Sequence, residues 1–320
     1  MHYEWKSEQP GRLVRHEVWR HAYLAHPYLI GAPDERVADR MCNVFMNITE
    51  VGSEGKLQPE AVQESDQFTQ AFTHLLEEYG HRGGMPTDLI ERARTPIARY
   101  FENGTPLGYT MFEGYQQPSG AILVKYGKRE FLEPMLHTGE LRIANATLYN
   151  QAAHNEAIRD DETSRTFYIP TYKERLAGQT SIDFQGHRVE FDDDDIELPV
   201  VFDDYYLLSL CEHIHYRMPS DFDADAAIVI REPKLFQSRL TNAFLGRFPG
   251  WLRAAGPVTY YDPYRDFSKV QIPEMAKHFG YAYQKEFRIA FRPPTRVALN
   301  LEPVFLSIGS MTKYADLICA

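Results

Sequence analysis

Apolar residues recur at helical spacing through the first third of the chain and at strand spacing through much of the rest. Val37, Met41, Val44, Phe45 and Ile48 predict a helix from Asp34 to about Val51. Val62, Phe68, Phe72, Leu75 and Leu76 predict a second over Pro59–Tyr79, with Pro59 in its first turn and the Gly83–Gly84 pair ending it. Leu89, Ile90, Ile97 and Tyr100 predict a third, opened by Pro86-Thr87-Asp88 and stopped at Asn103-Gly104. From residue 116 the pattern changes. Strands are predicted at Ala121–Tyr126, Leu141–Ala144, Tyr205–Cys211, Ala226–Ile230, Val258–Tyr261, Tyr281–Phe291 and Val297–Ile308, with a hairpin over Ser181–Phe191. Short helices fall at Phe131–Gly139 and Pro233–Phe244. Many strands with few interleaved helices predict an α+β domain over residues 116–320, preceded by a helical region over 1–115.

The stretch Tyr281–Phe291 alternates most clearly. Tyr281, Tyr283, Phe287, Ile289 and Phe291 fall on one face of the predicted strand, and Gln284, Glu286 and Arg288 on the other. Side chains two apart point the same way, so Gln284 and Glu286 can reach one ligand together. The plainer reading is a solvent face on which Arg288 satisfies Glu286.

Composition narrows the function. A hydrophobic content of 43% supports a sizeable core, and 20 Tyr with 19 Phe supply stacking surfaces. A net charge of −11 argues against a general nucleic-acid binder but leaves room for a local basic cleft. The three cysteines, Cys42, Cys211 and Cys319, lie far apart, which fits the reduced thiols of a cytoplasmic protein. The N-terminus lacks an apolar signal core, and no run of about 18 apolar residues occurs, so no membrane span is expected. There is no Gly-x-Gly-x-x-Gly, Walker-type loop or Gly-x-Ser-x-Gly. Glu190, Asp192–Asp195 and Glu197 put six acids in eight residues, a solvated loop rather than a calcium loop. His213 and His215 would share a strand face, but no third ligand of recognisable spacing follows, so no metal is expected.

Three strand motifs remain: Val124-Lys125-Tyr126, Leu208-Ser209-Leu210-Cys211, and Gln284-x-Glu286-x-Arg288. In this order they resemble the ADP-ribosyltransferase superfamily. There an early strand carries a basic or polar residue, a middle strand a Ser-centred triplet, and a late strand Gln/Glu-x-Glu. Residues of about 118–310 also resemble a bacterial domain family similar to ADP-ribosylating toxins and phage-defence effectors. Three positions depart from the pattern: Lys125 stands where Arg or His is common, Asn150-Gln151-Ala152 replaces an Asn-Asp-Pro turn, and Cys211 replaces a serine.

The resemblance implies an ADP-ribosyltransferase-like mixed β core and an enzyme that consumes NAD. Glu286 would stabilise the charge developing on the nicotinamide ribose, Gln284 would orient the acceptor, and Ser209 would order Glu286. Lys125 and Arg288 would bind the dinucleotide, and Tyr126, Tyr149 or Tyr283 would offer the nicotinamide ring a flat surface. The acceptor would be a nucleic acid or a protein, and an antitoxin protein could hold the enzyme in check. Two other readings compete: a non-enzymatic sensor or scaffold of a defence system, and a metal-dependent nuclease using Glu212, His213, His215 and the acid tract.

Overall fold

The computed structural model describes residues 14–59, 66–150, 161–184, 186–192, 195–295 and 301–320, without the side chain of Lys269. They form two compact units interleaved in sequence. One takes the described residues within Met1–Glu50, Pro59–Ile97 and Phe167–Leu198; the other takes Val51–Gln58, Ala98–Thr166 and Pro199–Ala320.

The first unit is mainly helical: α1 (Arg15–Ala25), α2 (Asp34–Asn47), α3 (Asp66–His81) and α4 (Leu89–Ala98). Val37, Met41 and Val44 of α2 and Phe68 and Leu75 of α3 are buried, as their spacing predicts, whereas Phe72 is half-buried and Leu76 exposed. Tyr23 donates to the carboxylate of Glu78, which also receives Arg82 Nε at 2.6 Å. The expected first-turn Pro59 instead ends a short strand, Leu57–Pro59. Residues 60–65 of the predicted helix lie outside the described residues. The predicted hairpin is present, with Ser181–Phe184 paired to His187–Glu190. In the acid tract, Asp193 and Asp194 lie outside the described residues, while Asp195 is buried and accepts the Thr171 amide at 3.4 Å.

The second unit is built on an eight-stranded sheet. Its strands are β1 (Leu123–Gly127), β2 (Glu140–Asn145), β3 (Tyr206–Cys211), β4 (Ala226–Ile230), β5 (Leu252–Pro257), β6 (Glu286–Arg292), β7 (Val304–Ser307) and β8 (Ala315–Cys319). The order is β5-β6-β3-β1-β4-β8, with β2 and β7 branching from β3, and every pairing is antiparallel. The chain is thus mixed α and β with a large antiparallel sheet. Among the described residues no helix is long and apolar enough to cross a membrane.

The branch is the feature that matters for function. One edge of β3 pairs with β6 from Tyr206 to Cys211. On its other edge, Tyr206 and Leu207 pair with β2, and Cys211 pairs with Val124 of β1. The ladder therefore forks, and among the described residues Leu208–Leu210 have no strand partner on that edge.

One face of the sheet is apolar. Leu208, Leu210, Ile228, Ile230, Ile289 and Phe291 pack beneath two helices, α5 (Arg129–Thr138) and α6 (Pro233–Arg247). The Phe244 ring of α6 stacks on Phe291 with centroids 3.8 Å apart. The other face carries two apolar clusters, one around Val124, Cys211 and Met218 and one around Tyr205, Leu207 and Ala290. Ser209, Glu286 and Arg288 lie between them on the same face, as the register with alternate residues of β3 and β6 requires.

The late strand departs from its prediction. It begins at Glu286, and Phe279–Gln284 form a 3₁₀ turn closed by Lys285 in the left-handed region at φ 43°. Gln284 is therefore not on the strand. The alternation expected over Tyr281–Phe291 holds only from Glu286 onward, and the face read as solvent is buried: Gln284 is 2% exposed, Glu286 3% and Arg288 0%. Of the strand predicted over Val297–Ile308, residues 297–300 lie outside the described residues and Val304–Ser307 forms β7.

Candidate active site

A cavity of about 340 Å³ opens over the polar patch at the fork. Lys125, Tyr126, Tyr149, Ser209, Gln284 and Glu286 all line it. Two further residues named from sequence do not: Arg288 lies behind Glu286, and Tyr283 packs under Arg217, whose guanidinium carbon is 3.9 Å from the ring centroid.

Glu286 is the centre of the arrangement. Its Oε1 accepts Ser209 Oγ at 2.6 Å and Arg288 Nε at 2.6 Å. Its Oε2 accepts Lys277 Nζ at 3.2 Å. The left-handed Lys285 turns the chain so that Gln284 converges with Glu286, and Lys277 Nζ also donates to Gln284 Oε1 at 3.1 Å. The pair reached from strand periodicity is real, but a turn creates it. Lys277 sits on a short strand, Ala276–His278, paired in parallel with Thr259–Tyr261. From that second strand Tyr260 Oη accepts the Glu286 amide at 2.8 Å.

Arg288 extends the network away from the cavity axis. Its Nη1 and Nη2 each reach an oxygen of Glu162 at 2.7 Å, a bidentate pair, and Nη1 also donates to the Glu274 carbonyl at 3.1 Å. Tyr205 Oη donates to Glu162 Oε2 at 3.0 Å. Glu162 and Lys277 both line the cavity, and neither was singled out from sequence. Glu162 follows two aspartates and reads as part of a solvated acidic run; Lys277 has no sequence pattern that marks it.

Lys125 reaches the site because the sheet forks. Its Nζ donates to the Ser209 carbonyl at 3.0 Å, on the β3 edge left without a strand partner. No carboxylate contacts it among the described residues. Burial lowers its pKa, with Cys211 and Glu286 nearby opposing the shift. Burial also pushes the Cys211 thiol up to about 12 and the Tyr149 phenol to about 12. For Glu286 burial acts upward, but Arg288 and then Lys277 overcome it and hold the carboxyl well below the usual carboxylate range. Glu162 is lowered likewise, chiefly by Arg288 against its own burial.

The patch thus holds a carboxylate, kept ionised by its cationic neighbours, at the floor of a cavity, a lysine and tyrosines on its walls, and buried cations behind. It can stabilise developing positive charge on a ligand at Glu286 and bind an anion at Lys125. His213 and His215 lie beyond the end of β3, with ring centroids 6.1 Å apart, and His215 is tied through its amide to Tyr126 Oη at 2.8 Å. Among the described residues no group of three His, Cys, Asp or Glu side chains is placed to hold a metal ion. No protein-family model, curated protein or solved structure matches the chain.

Proposed function

We propose that the second unit is an NAD-dependent ADP-ribosyltransferase with an ADP-ribosyltransferase-like α+β fold. It acts as a cytoplasmic toxin or anti-phage effector, transferring ADP-ribose to a nucleic-acid or protein acceptor, and an antitoxin protein restrains it. The observation that carries the reading is the convergence of Glu286, Gln284, Ser209 and Lys125 on one cavity. The groups fit the ligand: a carboxylate for the ribose hydroxyls, an amine for the pyrophosphate, and the rings of Tyr126 and Tyr149 for the nicotinamide.

In the reaction the bond from ribose C1′ to the nicotinamide nitrogen breaks, and its electron pair leaves with neutral nicotinamide. Positive charge builds on the ribose, as in glycoside cleavage. Glu286, preorganised by Ser209 and Arg288, stabilises that charge without rearranging. Gln284 orients the acceptor, whose nucleophile forms the new bond to C1′ and releases its proton. Arg288 contributes by holding Glu286 rather than by touching the dinucleotide.

One observation favours a second reading, a non-enzymatic sensor or scaffold. Both Glu286 oxygens already have protein donors, and a ligand hydroxyl must share Oε2 with Lys277. Expression of wild type beside Glu286→Gln in bacteria, with labelled NAD followed into RNA, DNA and protein, separates the two. Label that enters one fraction only with wild type supports transfer. No label and no growth difference, with both proteins folded, supports the scaffold.

A further inference from the structure

The mouth of the cavity has a chemistry distinct from its floor. Phe131 and Phe305 are the most exposed phenylalanines among the described residues, at 68% and 69%. Single exposed apolar side chains are ordinary, but one of these shares the cavity lining with a cation, Arg142, and the other is that cation's ladder partner. Phe131, at the start of α5, lines the cavity together with Arg142 of β2. Phe305 of β7 lies directly across from Arg142 in the β2–β7 ladder, so both project from the same sheet face. Arg142 is exposed and makes no hydrogen bond or ion pair among the described residues. A second guanidinium, Arg247, reaches the same edge and donates to the Phe305 carbonyl at 3.1 Å, with no carboxylate partner among the described residues. Glu140, the acid nearest along β2, sits opposite Ser307 at the end of the ladder.

Aromatic, cation, aromatic is the pattern that takes successive bases and the phosphate between them. Flat π faces accept any base, and an unpaired guanidinium accepts phosphate. A duplex hides its bases and meets a chain of net charge −11, so only a short local contact is favourable. We propose that Phe131, Arg142 and Phe305 form a platform for single-stranded nucleic acid, which presents a nucleotide to the cavity. Resting on the transferase reading above, this names the acceptor class; Lys125, deeper in the fork, is left for the dinucleotide.

The test is binding of a labelled 12-nucleotide single strand, as RNA and as DNA, by fluorescence anisotropy over a salt series. The matched duplex is the control. Full-length wild type is compared with Phe131→Ala, Phe305→Ala and Arg142→Gln, each checked for a native circular dichroism spectrum and melting temperature. Each ring is expected to contribute on the order of tenfold in affinity. Arg142→Gln is expected to flatten the salt slope by about one phosphate contact. The duplex should bind at least about tenfold more weakly. Absence of single-strand binding, equal binding by all three variants, a preference for duplex, or label entering protein alone would overturn the platform. NAD turnover by wild type is followed separately. If it is absent while strand binding depends on the three residues, the transferase reading fails and the platform stands.

Discussion

Replacing Glu286 by Gln keeps the shape of the side chain and removes one charge from a buried network. Glu162 still holds Arg288 through two bonds of 2.7 Å, so the loss falls on buried Lys277, which keeps its bond to the Gln284 amide oxygen at 3.1 Å and its place over the Tyr281 ring. Breaking one partner from a buried ion pair typically costs ~3–5 kcal/mol. The surviving amide bond puts the expectation at about 3 kcal/mol, the low end of that range. Lys277→Met alone leaves Glu286 with Arg288 and Ser209 and should cost less, about 1–2 kcal/mol. The double variant removes both charges. It should be more stable than the sum of the singles by about 1–2 kcal/mol, the coupling typical of contacting groups. Hydrogen exchange of the β3 and β6 amides reads this locally, without assuming that the two units unfold together. Turnover of labelled NAD should fall ~100–1000-fold in Glu286→Gln and stay low in the double variant, because stability returns without the carboxylate. Additive losses in the cycle would refute the electrostatic account of the network. NAD turnover within about tenfold of wild type in Glu286→Gln would refute the assignment of Glu286 as the charge-stabilising group.

Further consequences follow from the same geometry. Glu286 has a folded pKa below its ordinary 4.5, so its contribution to stability is complete above that value and is lost as pH falls toward the folded pKa; acid melts of wild type should therefore drop more steeply below about pH 4.5 than those of Glu286→Gln. Ser209→Ala removes a 2.6 Å hydrogen bond to Glu286 Oε1 and should lower NAD turnover about tenfold while costing about 1–2 kcal/mol, read by turnover and by exchange of β3 amides. Cys211, buried with its thiol pushed up to about 12, should resist alkylation in the native protein and react only after denaturation, as mass spectrometry of the labelled peptide would show. Gly139 ends α5 at φ 72°, where an added Cβ would collide with the Gly309 backbone; Gly139→Ala should destabilise the second unit by at least about 2 kcal/mol in exchange measurements.

Most of the sheet was legible because burial leaves a pattern. Ala226–Ile230 is buried at every position and was found with both its ends correct. Leu252–Pro257 and Ala315–Cys319 were missed: the first, Leu-Arg-Ala-Ala-Gly-Pro, has neither alternation nor β-branched residues, and both are edge strands whose outer positions are free to be polar. The site was legible only in part, for a different reason. Ser209 and Glu286 lie on neighbouring strands in a fixed register, so strand periodicity places them on one face. Gln284 joins them through a 3₁₀ turn and a left-handed lysine, a conformation no periodicity announces. Glu162 arrives from a segment distant in sequence and Lys277 from a short parallel strand just before the 3₁₀ turn, and their burial beside Glu286 and Arg288 is a tertiary fact.

That distinction bears on how the network should be read. A buried set of two cations and two carboxylates, Lys277, Arg288, Glu162 and Glu286, is poor material for stability alone, since apolar residues of the same volume would often serve as well. Two apolar clusters flank this face. Between them the sheet forks, the cavity opens, and Lys125 contacts a backbone carbonyl where a carboxylate partner would hold it more firmly. Charges kept at such cost, around an opening, mark a candidate ligand site, which is the reading the Glu286 and Lys277 variants test.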